Sequence, residues 1–427
     1  MSRIIATPQV TVVIPTYQRA PMIRRTLAEL VRQRIGVDRF EVIVADDGGS
    51  DDTLAVVQEF AGSLHIRYIW QEDLGFRAGQ ARNAGARLAA APLLVFLDSG
   101  TLPGPDFLGR HLAAHERPVR KAVIGYAYGY NPEEPMEGAE GVILSHPPEE
   151  TVRLFAGNPA FHDRRHAILE PVDFDPERRA LPWDLMWTIN VSIHAGDFWA
   201  AGGFDESFVG WGAEDSELAY RLHSTGLRFT FDRDAWVVEV PHESDWEVQD
   251  ATYRVNMRQF LAKHRQPMME IGERLVFHGS GLEWNEHVED LIAWTGKARE
   301  TDVAKEVAAA VRDAGPGARI AVFGCGSYSP DTATPAVLCD FDADLLDAAL
   351  VDGRHTGHHA IGIQTPLADK SVDVVVLTSR LAGLRPRWDE DLLTEAARIG
   401  HRIIEASSPA GGIQSGLGAP KLSRVLT

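Results

Sequence analysis

The chain has 427 residues, more than one ordinary hydrophobic core accommodates, so we expect two or three domains. Its 61 Asp and Glu residues against 42 Lys and Arg give a formal net charge of −19, which argues against nonspecific nucleic-acid binding and against an anionic membrane surface as partner. The sequence contains two cysteines, Cys325 and Cys339, too few for a disulfide framework or a Cys-rich zinc site.

The N-terminal segment MSRIIATPQVTVVIP lacks the long apolar core and the small-residue cleavage site of a secretory signal. The longest apolar run, residues 88–97, is far shorter than a bilayer span. Together with the scarcity of cysteine, these features predict a cytoplasmic protein with no integral membrane segment.

The first 118 residues alternate short apolar runs with segments of helical spacing. The predicted strands are residues 10–14, 40–44, 66–70 and 93–97, and the predicted helices are residues 21–32, 54–60 and 79–90. Strands that alternate with helices form βαβ units, so the predicted fold class is α/β with a mostly parallel sheet. In such sheets ligands bind at the carboxyl ends of the strands.

Polar residues follow the first two predicted strands. Thr16 and Tyr17 offer a hydroxyl and a ring face to a nucleobase, and Asp47 can accept a hydrogen bond from the imide N–H of uracil. Taken alone, residues 46–52 also fit a solvated acidic turn that caps the following helix.

Side chains suited to phosphate and to a cation come next along the chain. Arg77 and Arg82, with Asn83, are placed to meet phosphate oxygens, where forked charge-assisted bonds are strongest. Asp98 comes directly after the apolar strand LLVFL, and a carboxylate there can bind a divalent cation that neutralises a diphosphate leaving group. The sequence therefore predicts metal-assisted chemistry at this edge of the sheet.

The segment GGFDESFVGWGAEDSELAYRL is the most informative part of the chain. Gly210 and Gly212 flank Trp211, and the adjacent carboxylates Glu214 and Asp215 stand at the start of a predicted helix. The helix macrodipole favours an ionised carboxylate at this position, which suits a general base that takes a proton from a hydroxyl. A capping pair beside a core tryptophan is the alternative interpretation.

The remainder of the chain divides at a loop and at a glycine-rich stop. The regular pattern loosens over residues 118–179, where NPEEPMEG and SHPPEE predict irregular acidic loop. A helix predicted at residues 302–314 ends at the sequence GPG, and a second βαβ series with the turn GCGS follows. We predict a first domain at residues 1–250, a helical extension and linker at 251–317, and a smaller Rossmann-like α/β domain at 318–427.

Six motifs occur in the order VTVVIPTYQR, EVIVADDGGSDDT, RAGQARNAG, LLVFLDSG, TINVSI and GWGAEDSELAYRL. In this order they resemble the family 2 glycosyltransferases of the GT-A fold, over roughly the first 250 residues. The variant Trp-Gly-Ala-Glu-Asp is most similar to the subgroup that contains bacterial chondroitin-type polymerases and β-1,4-galactosyltransferases. The resemblance implies transfer of a hexosyl or N-acetylhexosaminyl group from a nucleotide sugar.

The resemblance also assigns roles to residues that match the motifs. It implies that Asp215 is the inverting general base, with Glu214 beside it. Donor binding falls to Pro15, Thr16, Tyr17, Asp47, Arg77, Arg82, Asn83, Asp98 and Ser99. Acceptor or sugar contacts fall to Trp211, Gly212 and Asn190.

The metal motif departs from the family pattern, because its usual second acidic residue is Gly100 here. The resemblance implies a divalent cation, Mn2+ or Mg2+, held by Asp98. Relatives often supply a late histidine, so His242 is the candidate second ligand, although a lone histidine is also a common structural residue. Without it, the enzyme would bind metal weakly or use basic side chains instead.

Residues from about 318 to 410 resemble a class I S-adenosylmethionine-dependent methyltransferase, through AVFGCGS, LCDFDADLLDAA and PLADKSVDVVVLTSRLAGL. In that family the acidic residue that ends the second strand binds ribose hydroxyls, and here it is Asp340 or Asp342. Because little chain follows the last predicted strand, we expect a shortened module used for docking or assembly, including homo-oligomer formation.

The predicted function is therefore that of an inverting glycosyltransferase, with UDP as the carrier and a hydroxyl of a glycan, natural product or peptide as the acceptor. No nucleic-acid partner is expected. Two alternatives stay open: a bifunctional enzyme that also methylates, and a noncatalytic scaffold that binds nucleotide sugars.

Overall fold

The computed structural model describes residues 7–131, 136–241 and 246–405. The chain forms a first unit, Met1–His264 with Ile271–Glu289, and a second unit, Arg265–Glu270 with Asp290–Thr427. The interval 251–317, predicted as an extension and linker, is shared between the two units.

A mixed sheet of eight strands is the centre of the first unit. The strands are β1 (Val10–Thr16), β2 (Phe40–Asp46), β3 (Ile66–Trp70), β4 (Leu93–Leu97), β5 (Thr101–Pro103), β6 (Lys121–Tyr128), β7 (Asn190–His194) and β8 (Arg228–Glu239). Their order is β3-β2-β1-β4-β7-β6-β8-β5. β1 pairs in parallel with β2 and β4, and β2 pairs in parallel with β3, so the carboxyl ends of these four strands share one edge. The predicted α/β class is confirmed.

Helices cover the sheet of the first unit. They are α1 (Ala20–Val31), α2 (Thr53–Phe60), α3 (Ala78–Arg87), α4 (Phe107–Ala114), α5 (Ala139–Ser145), α6 (Pro148–Phe155), α7 (His166–Leu169), α8 (Ala195–Ala200), α9 (Glu214–Ser224) and α10 (Trp246–Lys263). Two more helices, α11 (Pro267–His278) and α12 (Trp284–Ala298), contribute residues to both units. In α1, a proline in the first turn fits the helix start, and Ile23, Leu27 and Leu30 are buried on the face that meets the core.

The interval 118–179, where the sequence pattern loosens, contains more regular structure than that pattern predicts. NPEEPMEG lies partly outside the described residues, whereas most of SHPPEE belongs to α5 and α6, so the loop predicted there is wrong. The described part of this interval contains β6, the three α-helices α5, α6 and α7, and three short 3-10 helices. Gly125 interrupts the apolar run of β6. No larger residue fits there, because a Cβ would lie 2.2 Å from the Ala235 carbonyl oxygen and 2.3 Å from the Asn190 side-chain nitrogen. The glycine that weakens the sequence pattern is thus required by close packing inside the sheet.

The second unit has a smaller parallel sheet, as the sequence predicts. Its strands are β9 (Ile320–Phe323), β10 (Val337–Asp340), β11 (Thr356–His359), β12 (Val372–Leu377) and β13 (Gly400–Glu405), in the order β11-β10-β9-β12-β13. Its remaining helices are α13 (Ala304–Ala314), α14 (Ala343–Leu350) and α15 (Arg385–Ile399). Within the described ranges, no helix combines the length and the apolar character needed to cross a membrane.

Candidate active site

The loop before α9 has an unusual backbone. Gly210, Gly212 and Ala213 all have positive φ angles, of 85°, 94° and 70°. Glycine adopts such angles at little cost, whereas an alanine in the left-handed region is strained by its Cβ. The loop turns sharply at these residues, and Glu214 and Asp215 are the first two residues of α9.

A cavity of about 500 Å³ lies beside the start of α9. Both carboxylates line it, together with Arg82, Asp98 and Trp211. Further lining residues come from α10, the end of α11, the segment that follows and the start of α12: Tyr253, Val276, Gly279, Ser280, Gly281, Leu282, Glu283 and Trp284. The structure therefore brings together the predicted base, the metal motif and one phosphate-directed arginine.

Arg82 links Asp98, which follows β4, to Glu214 at the start of α9. Its guanidinium donates to Asp98 at 2.8 Å and to Glu214 at 3.4 Å, and it lies 5.5 Å from the Phe204 ring centroid. Arg82 is buried, whereas the Asp98 side chain is 36% exposed toward the cavity. Burial lowers the pKa of Arg82, but the charges of Asp98 and Glu214 outweigh it and keep the guanidinium charged.

Burial changes the protonation of the two carboxylates at the helix start. Burial, followed by repulsion from Asp215, raises the pKa of Glu214 to about 7. Burial also raises the pKa of Asp215, against the charge of Arg82 and the hydrogen bond from the Ser216 backbone N–H at 2.7 Å. The sequence argument expected the helix macrodipole to keep these groups ionised, but desolvation is the larger effect here. A buried carboxylate with a raised pKa is a stronger proton acceptor when ionised.

The residues predicted to contact the nucleoside also meet at the carboxyl edge of the sheet. Thr16 ends β1, and its carbonyl oxygen accepts from the Asp47 backbone N–H at 2.8 Å. The Asp47 carboxylate accepts from Gln71 Nε2 at 2.5 Å and from the Arg77 backbone N–H at 2.6 Å. The structure thus joins Thr16, Asp47 and Arg77, with Pro15 buried within β1 beside them.

Tyr17 lies on the same edge, about half exposed, and its hydroxyl donates to Asp73 at 3.0 Å. The sequence analysis missed Asp73 and Gln71, although both follow β3 as the other candidates follow β1 and β2. The signal was the position after a strand, which applies to β3 as well.

Asn83 and Asn190 lie elsewhere. Asn83 is buried and its amide bonds the Phe204 backbone and Glu206. Asn190 is buried inside the sheet, where its amide donates to the Ala235 carbonyl at 2.8 Å and accepts from His111 at 2.8 Å. Neither residue is among those that line the cavity.

The metal motif offers one open carboxylate. Asp98 uses one oxygen for Arg82, and Gly100, with φ of 93°, has Arg19 Nη1 3.4 Å from the position of a Cβ. Ser99 offers its backbone carbonyl to Arg19 at 3.5 Å. His242 lies outside the described residues, and the described ranges contain no group of three or more His, Cys, Asp or Glu side chains that could hold a metal. One carboxylate fits a cation shared with donor phosphates, as is common for Mg2+.

Comparisons with known proteins define the class. The model of glycosyl transferase family 2 matches residues 11–158, and that of the N-terminal domain of galactosyltransferase matches residues 172–242. A validoxylamine A glucosyltransferase from Streptomyces hygroscopicus subsp. jinggangensis is 41% identical over 414 residues, which cover 94% of this chain and 97% of that protein. The chain belongs to glycosyltransferase family 2 and is a glycosyltransferase, so the noncatalytic alternative is wrong.

Two further similarities are more limited. The chondroitin synthase of Escherichia coli is 30% identical over 225 residues, which cover 51% of this chain and 33% of that protein. The mannosyltransferase PcManGT from Pyrobaculum calidifontis, solved in complex with GDP-Man and Mn2+, is similar over 72% of this chain and 81% of that chain, with 20% identity and a TM-score of 0.45.

Proposed function

We propose that this protein transfers a sugar from a UDP-sugar to an acceptor hydroxyl with inversion at the anomeric carbon. The observation that supports this most directly is the placement of Asp215. It is a partly buried carboxylate that lines the same cavity as Asp98 and Arg82, and it belongs to a chain of glycosyltransferase family 2. A base and a diphosphate-facing charge pair in one cavity are what a direct displacement requires.

The proposed step is a single displacement. The acceptor hydroxyl oxygen forms a bond to the anomeric carbon as the bond from that carbon to the diphosphate oxygen breaks, and the leaving electron pair stays on the diphosphate. Asp215 takes the hydroxyl proton, and Arg82 stabilises negative charge on the leaving side. Attack from the face opposite the diphosphate inverts the configuration.

The donor carrier is proposed from the edge formed by β1, β2 and β3. Asp47 keeps acceptor capacity on a carboxylate already oriented by Gln71 and Arg77, and the uracil imide presents one N–H between two carbonyls. Tyr17 supplies an exposed ring on the same edge for stacking. These contacts support UDP over a purine nucleotide.

A divalent cation, Mn2+ or Mg2+, is proposed to act at Asp98, where it would neutralise the departing diphosphate when bound. The open oxygen of Asp98 is the observation that supports it. His242 stays a candidate second ligand.

The transferred group and the acceptor are proposed from the relative with 41% identity, which is named as a validoxylamine A glucosyltransferase. We propose glucosyl transfer to a hydroxyl of validoxylamine A or of a similarly small polyhydroxylated acceptor. A cavity of about 500 Å³, with Trp211 and Tyr253 in its wall, has room for a sugar and a small acceptor and offers aromatic faces to their rings.

For the second unit we propose a structural role and no methyl transfer. Asp340, which ends β10, is one of the two candidates, with Asp342, for binding ribose hydroxyls in a methyltransferase. Its carboxylate instead accepts from Arg380 through two bonds of 3.0 Å and from the Gly326 backbone N–H at 2.7 Å. The Arg380 side chain also lies against Gly324 and Gly326, across the turn that would approach a cofactor.

The test is product analysis. The purified protein is incubated with Mn2+, validoxylamine A and UDP-glucose, with GDP-, ADP- and dTDP-glucose in parallel reactions. We expect a singly glucosylated product, made fastest from UDP-glucose, with a β linkage by NMR because the donor is α-linked. An α-linked product would overturn inversion, a faster reaction with another carrier would overturn UDP, and no transfer from any donor would overturn the acceptor assignment.

A further inference from the structure

Helix α10 lies against the loop that carries the base, and sequence reasoning placed most of it outside the catalytic domain. Thr252 of α10 accepts from the Trp211 backbone N–H at 3.1 Å. The same hydroxyl lies 3.2 Å from the Trp211 carbonyl oxygen and 3.0 Å from that of Gln249, which compete for its single proton. Asn256, one turn further along, donates to the Gly212 carbonyl oxygen at 2.8 Å.

Side chains of α10 also pack closely against the loop. A Cβ at Gly210 would lie 2.7 Å from Thr252 side-chain carbons, and a Cβ at Gly212 would lie 2.6 Å from the Tyr253 ring. The Trp211 and Tyr253 rings meet edge to face with centroids 5.6 Å apart. The two glycines are therefore required by contact with α10 as well as by their backbone angles.

We infer that Thr252 and Asn256 are positioning residues that hold the loop of residues 210–213 so that Trp211 and Asp215 face the acceptor. This inference rests on the proposed function for its catalytic consequence. The loop contains three residues with positive φ, one of them the strained Ala213, so its conformation needs outside support. Thr252 and Asn256 bond the loop backbone at the two residues between Gly210 and Ala213.

The consequence is a division of roles between donor and acceptor. The residues proposed to bind the nucleoside and the diphosphate lie at or just after the ends of β1 and β2, in or just before α3, and after β4. The hydrogen bonds described for Thr252 and Asn256 go to none of these residues. Loss of the α10 contacts should therefore weaken acceptor use and leave donor affinity intact. A general loss of folding would weaken both.

The test uses Thr252→Val, which keeps the shape of the side chain and removes the hydroxyl, with Thr252→Ser as the conservative variant that restores it. Hydrogen exchange followed by mass spectrometry should show amides of residues 210–216 exchanging about tenfold faster in Thr252→Val and near normally in Thr252→Ser. The kcat/KM for validoxylamine A should fall about tenfold, while the Kd for UDP with Mn2+ stays within about twofold. Asn256→Ala should act in the same direction.

Val255→Ala is the matched control, because Val255 lies on the same helix and is 59% exposed. It should change neither the exchange nor the kinetics. Unchanged exchange at 210–216 in both Thr252→Val and Asn256→Ala would overturn the inference, as would faster exchange with unchanged acceptor kinetics. If the unsubstituted protein transfers no sugar, the proposed function fails, and the exchange data still decide whether α10 holds the loop.

Discussion

An arginine and an aspartate meet at the carboxyl edge of each of the two sheets, and their surroundings differ. In the first unit Arg82 binds Asp98 at 2.8 Å, and Asp98 remains partly exposed in a cavity. In the second unit Arg380 binds Asp340 at 3.0 Å, and both side chains are completely buried. The same type of ion pair therefore leaves an oxygen of Asp98 open to a ligand in the first unit, whereas Asp340 in the second unit has none.

The Asp340 carboxylate already accepts four hydrogen bonds from other residues of the second unit. Besides two bonds from Arg380, Asp340 accepts from the backbone N–H groups of Gly326 and Asp342, at 2.7 Å and 2.9 Å. The fold class and an acidic residue after a strand are shared by both units, so neither distinguishes a functional site from a structural one. These two pairs differ in the exposure of the carboxylate, which is partial for Asp98 and zero for Asp340.

The largest effect is expected in the cavity of the first unit. Asp215→Asn should lower glycosyl transfer by about 10²–10⁴-fold, because the proton acceptor is lost while the shape is kept. The Kd for UDP with Mn2+, measured by calorimetry, should change less than a few-fold. Asp205→Asn is the same substitution outside the cavity, at an aspartate that binds Lys263, and should leave transfer near normal. Near-normal turnover in Asp215→Asn would remove Asp215 from the role of base.

Breaking the buried Arg380–Asp340 pair of the second unit should lower stability. Arg380→Met should lower the free energy of unfolding of the second unit by about 3–5 kcal/mol, because Asp340 would be left buried and unpaired. Urea unfolding followed by circular dichroism measures it. Arg380→Met combined with Asp340→Asn should recover much of the loss, since the charge is gone and an acceptor for Gly326 remains.

Arg319→Ala supplies the matched comparison in the same unit. Arg319 binds Asp373 at 2.9 Å, but both side chains are about half exposed, so the substitution should cost far less than Arg380→Met. Equal costs for the two arginines would contradict the interpretation that burial distinguishes the pairs.

Sequence reasoning succeeded where local pattern determines structure. The strands of the first βαβ units follow from apolar runs, and β3 and β4 have the predicted limits. The edge position of Thr16, Asp47 and Asp98 follows from parallel pairing, since each comes at or just after the end of a strand.

Contacts between distant segments were beyond local pattern. Nothing in the residues around Asn190 indicates that it binds His111 inside the sheet, or that Arg380 approaches Asp340 from 40 positions away. The cavity wall from α10 and residues 276–284 was missed for the same reason. Burial, which raises the pKa of Glu214, also depends on these long-range contacts and opposed the helix-dipole argument.

Glu214 gives a smaller effect that tests burial in the cavity of the first unit. Its pKa of about 7 in the folded protein lies above the ordinary value of 4.5. The part of the wild-type stability that depends on protonated Glu214 is therefore fully present below pH 4.5 and is lost as the pH rises through 7. Glu214→Gln cannot ionise and should be more stable than wild type by about 1–3 kcal/mol at pH 8–9, with the difference fading toward pH 4.5. Urea unfolding at a series of pH values measures it.

Glu217→Gln is the control on the same helix and should have the opposite sign. Although burial opposes it, hydrogen bonds from His264 and Arg221 lower the pKa of Glu217, so its ionised form stabilises the fold. Glu217→Gln should therefore be less stable than wild type at neutral pH. The same sign for both variants would contradict the assigned pKa directions.

The smallest expected effect is none, and it compares the two edges directly by ligand binding. A ligand that binds the folded protein raises the free energy of unfolding by RT ln(1 + [L]/Kd), about 2.7 kcal/mol at one hundred times Kd, and the unfolding temperature rises with it. UDP with Mn2+ should raise the unfolding temperature, because Asp98 is partly exposed at the first edge and keeps an oxygen for a ligand. S-adenosylmethionine at millimolar concentration should leave it unchanged, because Arg380 and two backbone N–H groups already occupy the Asp340 carboxylate. Micromolar binding of S-adenosylmethionine by calorimetry, lost in Asp340→Asn, would show that Arg380 moves aside and would revive the bifunctional alternative.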